Sequence, residues 1–440
     1  VSTGKQTTGS KFYHRIPKIQ SKLGPKEVLV LFAADHKIRN HDVEYKFRQD
    51  SDFYYVTGIP EENTILLLKK KEAYLFCLPK DKDQEIWTGI RYGKEYYKSA
   101  LPITDAWDLG EWNMRFPELI LGEETLFYFY GQNPDRDREI FGSLHKINSR
   151  SRDGRYAPET VKLPTFLHEL RLHKSDDEVR RIRESARITG LGHLRLLQET
   201  KPGMYEYELE SILESTYLRS GAWGGGYGHI VASGQNACIL HYVRNREILK
   251  EGELVLVDSG AEKDGYTADV TRCFPVGREF SEPQKIIYDL VLAAQKNAIQ
   301  LCSAGREFYE IQDKTVRFFL ECLKDMKFLK GSLEELEEKG AIRRFYMHKI
   351  GHYLGMDVHD CGKYFIQGKR RKLESGMVVT IEPGLYIAPD DETVPEEFRG
   401  IGIRIEDDIL IQGKRPVNLT EFIPKEIEEI EAIRKESLRK

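Results

Sequence analysis

The chain has 440 residues, 40% hydrophobic and 31% charged, with a formal net charge of −4. That length asks for two domains and that composition for a soluble globular protein. The charge balance gives a polyanion nothing to hold, so nucleic acid is excluded as a default partner, and no apolar run approaches the ~20 residues of a membrane span. In chain order, Val1–Ser10 is polar and lacks the apolar core of an export signal, which points to a cytoplasmic protein; Val1 leaves the true start open. Glu27–Ala33 (EVLVLFA) reads as a short apolar strand, Phe53–Leu68 as strand, Gly-Ile-Pro turn and strand, and Glu72–Pro79 as another strand. Pro25, Pro60 and Pro79 punctuate them, and polar residues 149–163 read as a linker. The first domain, residues 1–165, is expected to be mixed α/β.

The texture then changes. Ser175-Asp-Asp-Glu178 forms a capping box that opens a helix to about Thr200, ended by Pro202-Gly203. A second helix is expected over about Tyr205–Ser220, a third from Ser281 to about Cys302, and a fourth over Phe308–Asp325. Gly-rich strands lie between them, and the charged tail after Pro424 is helical in period. Residues 170–440 are therefore expected to be an α+β domain with helices segregated from an antiparallel sheet. The six cysteines, Cys77, Cys238, Cys273, Cys302, Cys322 and Cys361, form no Cys-x-x-Cys pair and are expected to be buried free thiols in a reducing compartment.

Within the second domain one pattern occurs twice. Gly252–Gly260 (GELVLVDSG) and Gly376–Gly384 (GMVVTIEPG) each run through β-branched residues to a carboxylate, Asp258 or Glu382, with a Gly two residues on. After Asp258 the chain turns at Lys263-Asp264-Gly265 and returns through Asp269, placing it roughly opposite Asp258; after Glu382 a longer excursion returns through Glu406. Two similar strand pairs, each giving two carboxylates to one place, imply a duplicated half-domain with the site between its halves. Four clustered carboxylates would repel one another and take up protons unless two divalent cations cancelled them. Hard oxygen ligands with one imidazole favour Mn²⁺, Co²⁺, Zn²⁺ or Fe²⁺. The imidazoles are His348, His352 and His359, within twelve residues, and His241. His348 and His352 stand at i, i+4, but Gly351 and Gly355 argue against a long helix, and the glutamate of a His-Glu-x-x-His zinc site is missing.

These segments resemble the pita-bread metallopeptidases, and most of all the aminopeptidase P (Xaa-Pro aminopeptidase) family: Ile239–Tyr242, Leu256–Gly260, Ala268–Arg272, His348–Gly355, Val358–Asp360, Thr380–Tyr386 and Gly402–Asp407. Asn40–Gly58 resembles that family's N-terminal domain, and His168–Arg171 with Lys174-Ser175 the approach to its catalytic domain. The resemblance implies a pita-bread catalytic domain, a pseudo-two-fold antiparallel sheet flanked by helices, behind a smaller α/β domain. It implies two divalent metal ions, Mn²⁺ foremost, with Asp258 on one metal, Asp269 and Glu406 bridging, and His352 and Glu382 completing the second. It gives His241, His348 and His359 substrate-contacting and catalytic roles, with Glu382 as proton carrier and Arg404 and Tyr386 as supporting site residues. Asp42 and Trp87 resemble positions that reach a neighbouring subunit's site, so a homodimer or homotetramer is implied. The implied reaction is release of the residue before a proline by a hydroxide bridging the two metals. A prolidase-type dipeptidase of the same fold is the rival, and a catalytically inactive peptidase-fold binding module a more distant one. A methionine aminopeptidase needs no domain of ~160 residues in front, and a creatinase-like hydrolase lacks the metals. Ala304-Gly305 departs from the family's Pro-Gly at a turn, and Trp223–Gly228 (WGGGYG) reads either as a flexible rim to the site or as close packing.

Overall fold

Glu27–Phe32 has its four central residues buried, and a continuous apolar run of this kind belongs in a sheet covered on both faces. In the computed structural model, which describes residues 15–152 and 154–439, it is an inner strand of a six-stranded mixed sheet. The spatial order is Asp105–Asp108, Ala73–Cys77, Ile65–Lys69, Glu27–Phe32, Thr125–Phe127 and Thr160–Lys162. Val28, Val30 and Leu67 face Trp112, Phe116 and Ile140 from the covering helices. This sheet belongs to a unit that ends at His168; a second unit begins at Glu169. Val1–Ser10 lies outside the described residues.

Two expectations for the first unit are corrected. The start of Phe53–Leu68 is helical: Ser51–Thr57 is a helix because the Asp50 side chain accepts the Phe53 N–H at 2.8 Å. That cap, with Phe53, Tyr55 and Val56 buried, outweighs the strand preference of the aromatic and β-branched residues. The expected linker is also structured at both of its ends. The helix Pro134–Arg150 runs into it, and Thr160–Lys162 pairs in parallel with Thr125–Phe127 as an edge strand with mostly exposed side chains, which is why it reads as polar.

In the second unit, Ser175 with Glu178 and Ser281 with Gln284 close capping boxes on the helices Asp176–Glu199 and Glu282–Leu301. Glu206–Arg219, Phe308–Asp325 and the tail helix Ile427–Ser437 also form as their periodicity requires. The repeated sequence pattern becomes two long antiparallel hairpins. In the first, Leu254–Asp258 pairs with Thr271–Pro275 and Ala261–Lys263 with Tyr266–Thr267, and no residue is gained or lost between the pairs Asp258–Thr271 and Glu262–Thr267. Its turn, Asp264-Gly265, has φ of 52° and 77°, the conformation that suits the strands' twist. In the second, Val378–Ile381 pairs with Asp407–Gln412 and Gly384–Tyr386 with Gly402–Arg404, again in one continuous register. Val255, Val257 and Phe274 pack with Ile188, Leu213 and Ile287, whereas Val379, Ile381 and Ile409 pack with Ala298, Phe308 and Ile311.

Ala304 is accounted for here: its N–H donates to the Gly413 carbonyl at 2.8 Å, a bond proline could not make. All six cysteines are free, three buried and three partly so. Among the described residues no helix is long and apolar enough to cross a membrane.

Candidate metal centre

Each hairpin loses its ladder where its acids stand. Asp258 ends a strand, Glu382 follows one, and Asp269 and Glu406 lie in the breaks of the returning strands. Asp269 is not opposite Asp258, as expected, but two residues beyond Thr271, its true partner. With a period of two, Asp269 still projects to the same face as Asp258. His352 arrives on an extended segment, not a helix: Ile350 accepts from Glu382 N at 2.8 Å and the His352 carbonyl from Thr380 N at 2.9 Å. Gly351 permits that approach, because a Cβ there would stand 1.9 Å from the Thr380 carbonyl oxygen.

Asp258, Asp269, His352, Glu382 and Glu406 line one cleft of about 480 Å³, with His241, His348, His359 and Arg404 on its walls. Asp269, His352 and Glu406 each present a ligand atom within 4.8 Å of the others. His352 Nε2 lies 3.3 Å from Asp269 Oδ2 and 3.5 Å from Glu382 Oε1. Its Nδ1 faces the Tyr353 carbonyl at 3.0 Å, so the Nδ1–H donates there and Nε2 points to the acids. His359 packs edge-on against His352 at 4.4 Å between ring centroids.

Arg404 ties the cluster together. Its guanidinium donates to Asp258 Oδ2 at 2.7 Å, to the Tyr386 hydroxyl at 2.9 Å and to Thr271 Oγ1 at 3.1 Å. Thr271 donates onward to Glu406 Oε2 at 2.7 Å. Tyr386 lies 2.8 Å from His348 Nε2, while His348 Nδ1 meets the Lys349 carbonyl at 2.8 Å. The donors fall into one direction: arginine to tyrosine, tyrosine O–H to Nε2, Nδ1–H to carbonyl. His348 is neutral in that chain, and burial followed by Arg404 holds its pKa down at about 3.

The electrostatics ask for cations. Burial, then repulsion from the neighbouring acids, pushes the Glu406 carboxyl well above its ordinary range; burial, then Asp258, raises Asp269. Glu382 rises to about 7, chiefly through burial. Burial also works upward on Asp258, but Arg404 and the Tyr227 hydroxyl outweigh it and hold it low. Burial lowers His352, yet Asp269 and Glu382 hold it at about 9. Acids whose charged forms are opposed by burial and by one another, around one imidazole aimed inward, fit divalent metal ions with oxygen and nitrogen donors.

Several site residues escape a reading of the sequence. The Tyr227 hydroxyl donates to Asp258 Oδ1 at 2.7 Å and also contacts Asp269. The glycines before it settle the two readings of that stretch in favour of close packing. A Cβ at Gly224 would meet Glu214 at 2.7 Å, at Gly225 His229 at 2.5 Å, and at Gly226 Thr267 at 2.3 Å. Asp408 accepts the Asp269 N–H at 3.2 Å. Asp360, after His359, is buried against Lys174 at 2.8 Å and Arg171 at 2.6 Å, which anchors the histidine loop. The only sequence signal for Tyr227 is an aromatic inside a run of glycines. Asp42 and Trp87 lie exposed in the first unit, outside this cluster.

The chain matches known proteins along nearly its whole length. A sequence model of metallopeptidase family M24 matches residues 180–413, and one of the aminopeptidase P N-terminal domain matches residues 12–128. The chain is 39% identical over 429 residues to the Xaa-Pro aminopeptidase of Escherichia coli, covering 96% of this chain and 97% of that one. The structure of Pseudomonas aeruginosa aminopeptidase PepP superposes with a TM-score of 0.95 at 40% identity, over 98% of this chain and 99% of that one. Zinc-substituted E. coli aminopeptidase P in complex with product superposes at 0.93 with 39% identity, over 97% and 98% of the two chains. Hairpin duplication, acid cluster and leading domain thus have one explanation: the chain belongs to metallopeptidase family M24, in the aminopeptidase P group.

Proposed function

We propose that the cleft holds two divalent cations, Mn²⁺ foremost and Zn²⁺, Co²⁺ or Fe²⁺ in its place. Asp258 serves one, Asp269 and Glu406 are shared, and His352 and Glu382 serve the other. The chain is a metallo-exopeptidase that removes the amino-terminal residue from peptides with proline second. The observation that carries this reading is the meeting of Asp269, His352 and Glu406 within 4.8 Å in a cleft also lined by Asp258 and Glu382.

When bound, such ions lower the pKa of water and polarise a peptide carbonyl. The side chains account for the rest. His241 and His359, both exposed on the cleft wall, can donate to the carbonyl oxygen as charge develops on it. A proline nitrogen is a tertiary amide without an N–H, so its departure needs a proton. Glu382, with Oε1 3.2 Å from the Thr380 hydroxyl and Oε2 3.8 Å from His348 Nδ1, stands where it can carry one. Arg404 and Tyr386 hold His348 in the neutral form that can contact substrate. A cytoplasmic location and a homodimer or homotetramer complete the reading; Trp87, 83% exposed on the first unit, is available to a neighbouring subunit.

The test is turnover of Xaa-Pro, Xaa-Pro-Xaa and longer peptides by metal-stripped protein, with each cation added back singly. Release of the first residue from all lengths, strongest with Mn²⁺ and saturating at two ions per chain, is expected. Cleavage of dipeptides alone would make it a prolidase, and inertness with every cation would make it a binding module.

A further inference from the structure

The cleft has an uneven lining. Beside the acids it is lined by the apolar Ile230, Leu240 and Val243 from one stretch of chain and by Lys349 and Tyr364 from another. Lys349 is exposed, and no carboxylate lies within ion-pair distance of it among the described residues. The other lysine or arginine that lines the cleft, Arg404, is committed to Asp258. The Lys349 ammonium stands 5.6 Å from the Tyr364 ring centroid and 5.8 Å from that of Tyr309. Tyr364 is itself fixed, since its hydroxyl accepts the Tyr353 N–H at 2.9 Å and its ring stacks on Tyr353 at 4.5 Å. A rigid aromatic face thus holds a free cation beside the floor of the cleft.

We propose that Lys349 forms a subsite for a carboxylate on the part of the substrate beyond the proline. This rests on the function proposed above. The bond that is cut lies one residue from the amino terminus, so whatever continues past the proline must leave the floor along a wall. Lys349 follows His348, which bonds Tyr386 beside Arg404, and Lys349 is the cleft-lining lysine or arginine without a carboxylate partner among the described residues. A three-residue peptide brings its terminal carboxylate to that region, and a longer one can bring an acidic third side chain.

The test compares three peptides that share their first two residues: Xaa-Pro-Ala as free acid, Xaa-Pro-Ala amide and Xaa-Pro-Glu amide. For the metal-loaded protein, kcat/KM for the free acid should exceed that for the amide roughly three- to fivefold, the range of an exposed ion pair. The difference should sit in KM and shrink at high salt. In Lys349→Met the ratio should fall to one, and in Lys349→Arg it should persist. A matching preference for Xaa-Pro-Glu amide over Xaa-Pro-Ala amide assigns the subsite to side chains as well as termini. An equal free-acid preference in the wild type and Lys349→Met, or none in the wild type, overturns the subsite while leaving the peptidase reading intact. No turnover of any of the three peptides overturns that reading itself.

Discussion

The two hairpins share one backbone plan and differ at two matched positions. Where the first returns with Asp269 and Thr271, the second returns with Arg404 and Glu406, the equivalent places in its register. Each returning strand therefore gives one acid to the floor and one partner to the opposite half: Arg404 reaches Asp258, and Thr271 reaches Glu406. The halves also join behind the site, where Arg272 of the first bonds Asp407 of the second at 2.7 Å and the Glu406 carbonyl at 2.6 Å. The lesson is that the two hairpins share one frame, and the residues at two matched positions tie these acid-bearing hairpins into one centre.

The harshest way to break this arrangement is to remove a shared acid. Asp269→Ala or Glu406→Ala should abolish metal uptake and turnover together, read by elemental analysis and peptide hydrolysis. Full activity in either variant would refute the shared centre. Next comes the joint behind it. Asp407 is fully buried against Arg272 and Lys425, and Asp407→Ala would leave those cations unmatched. Denaturant unfolding should show a loss of about 3–5 kcal/mol.

The halves also differ in what backs them. His193 faces the Ser259 carbonyl of the first hairpin at 3.4 Å, whereas Gln295, which does not titrate, donates to Asp407 of the second at 2.7 Å. Burial holds the His193 pKa down at about 4, against about 6.5 when unfolded. Between those values the unfolded chain binds a proton that the folded chain refuses. Stability from this group is thus intact above pH ~6.5 and falls as pH drops towards ~4, by about 3 kcal/mol in all. Urea midpoints against pH should show that slope, and His193→Gln should flatten it. The mildest probe is Thr271→Val, which keeps the shape but deletes the donor to Glu406. Metal affinity, measured by calorimetric titration, should weaken about ten- to a hundredfold with the fold intact.

Much of this was legible in the sequence because the signals are local. Ser175 and Ser281 announce their helices, and the repeated run to Asp258 and Glu382 announces the hairpins. The four acids stand out because charged residues at the ends of apolar strands need a countercharge, whereas His352 is set apart from His241, His348 and His359 only by the family resemblance. What stayed hidden rests on a local cap that outweighs composition, on an edge position in a sheet, or on contacts distant in sequence. The Ser51–Thr57 helix looked like a strand because its cap, Asp50, counts for more than its aromatic composition. Thr160–Lys162 looked like linker because it is an edge strand with few buried side chains. Tyr227 meets Asp258 and Asp269 across more than thirty residues of sequence, a contact that no local signal carries.

That packing has a bearing on how the protein can drift. Surface-proximal loops beside a substrate cleft are ordinarily where sequence variety is tolerated best. Here three successive positions just before Tyr227 disfavour any side chain: Gly225 and Gly226 have no room for a methyl group, and Gly224 has a φ of 129°. A library randomised over this loop should return glycine at all three places, while neighbouring Gly228, whose nearest contact would be 3.7 Å away, accepts alanine.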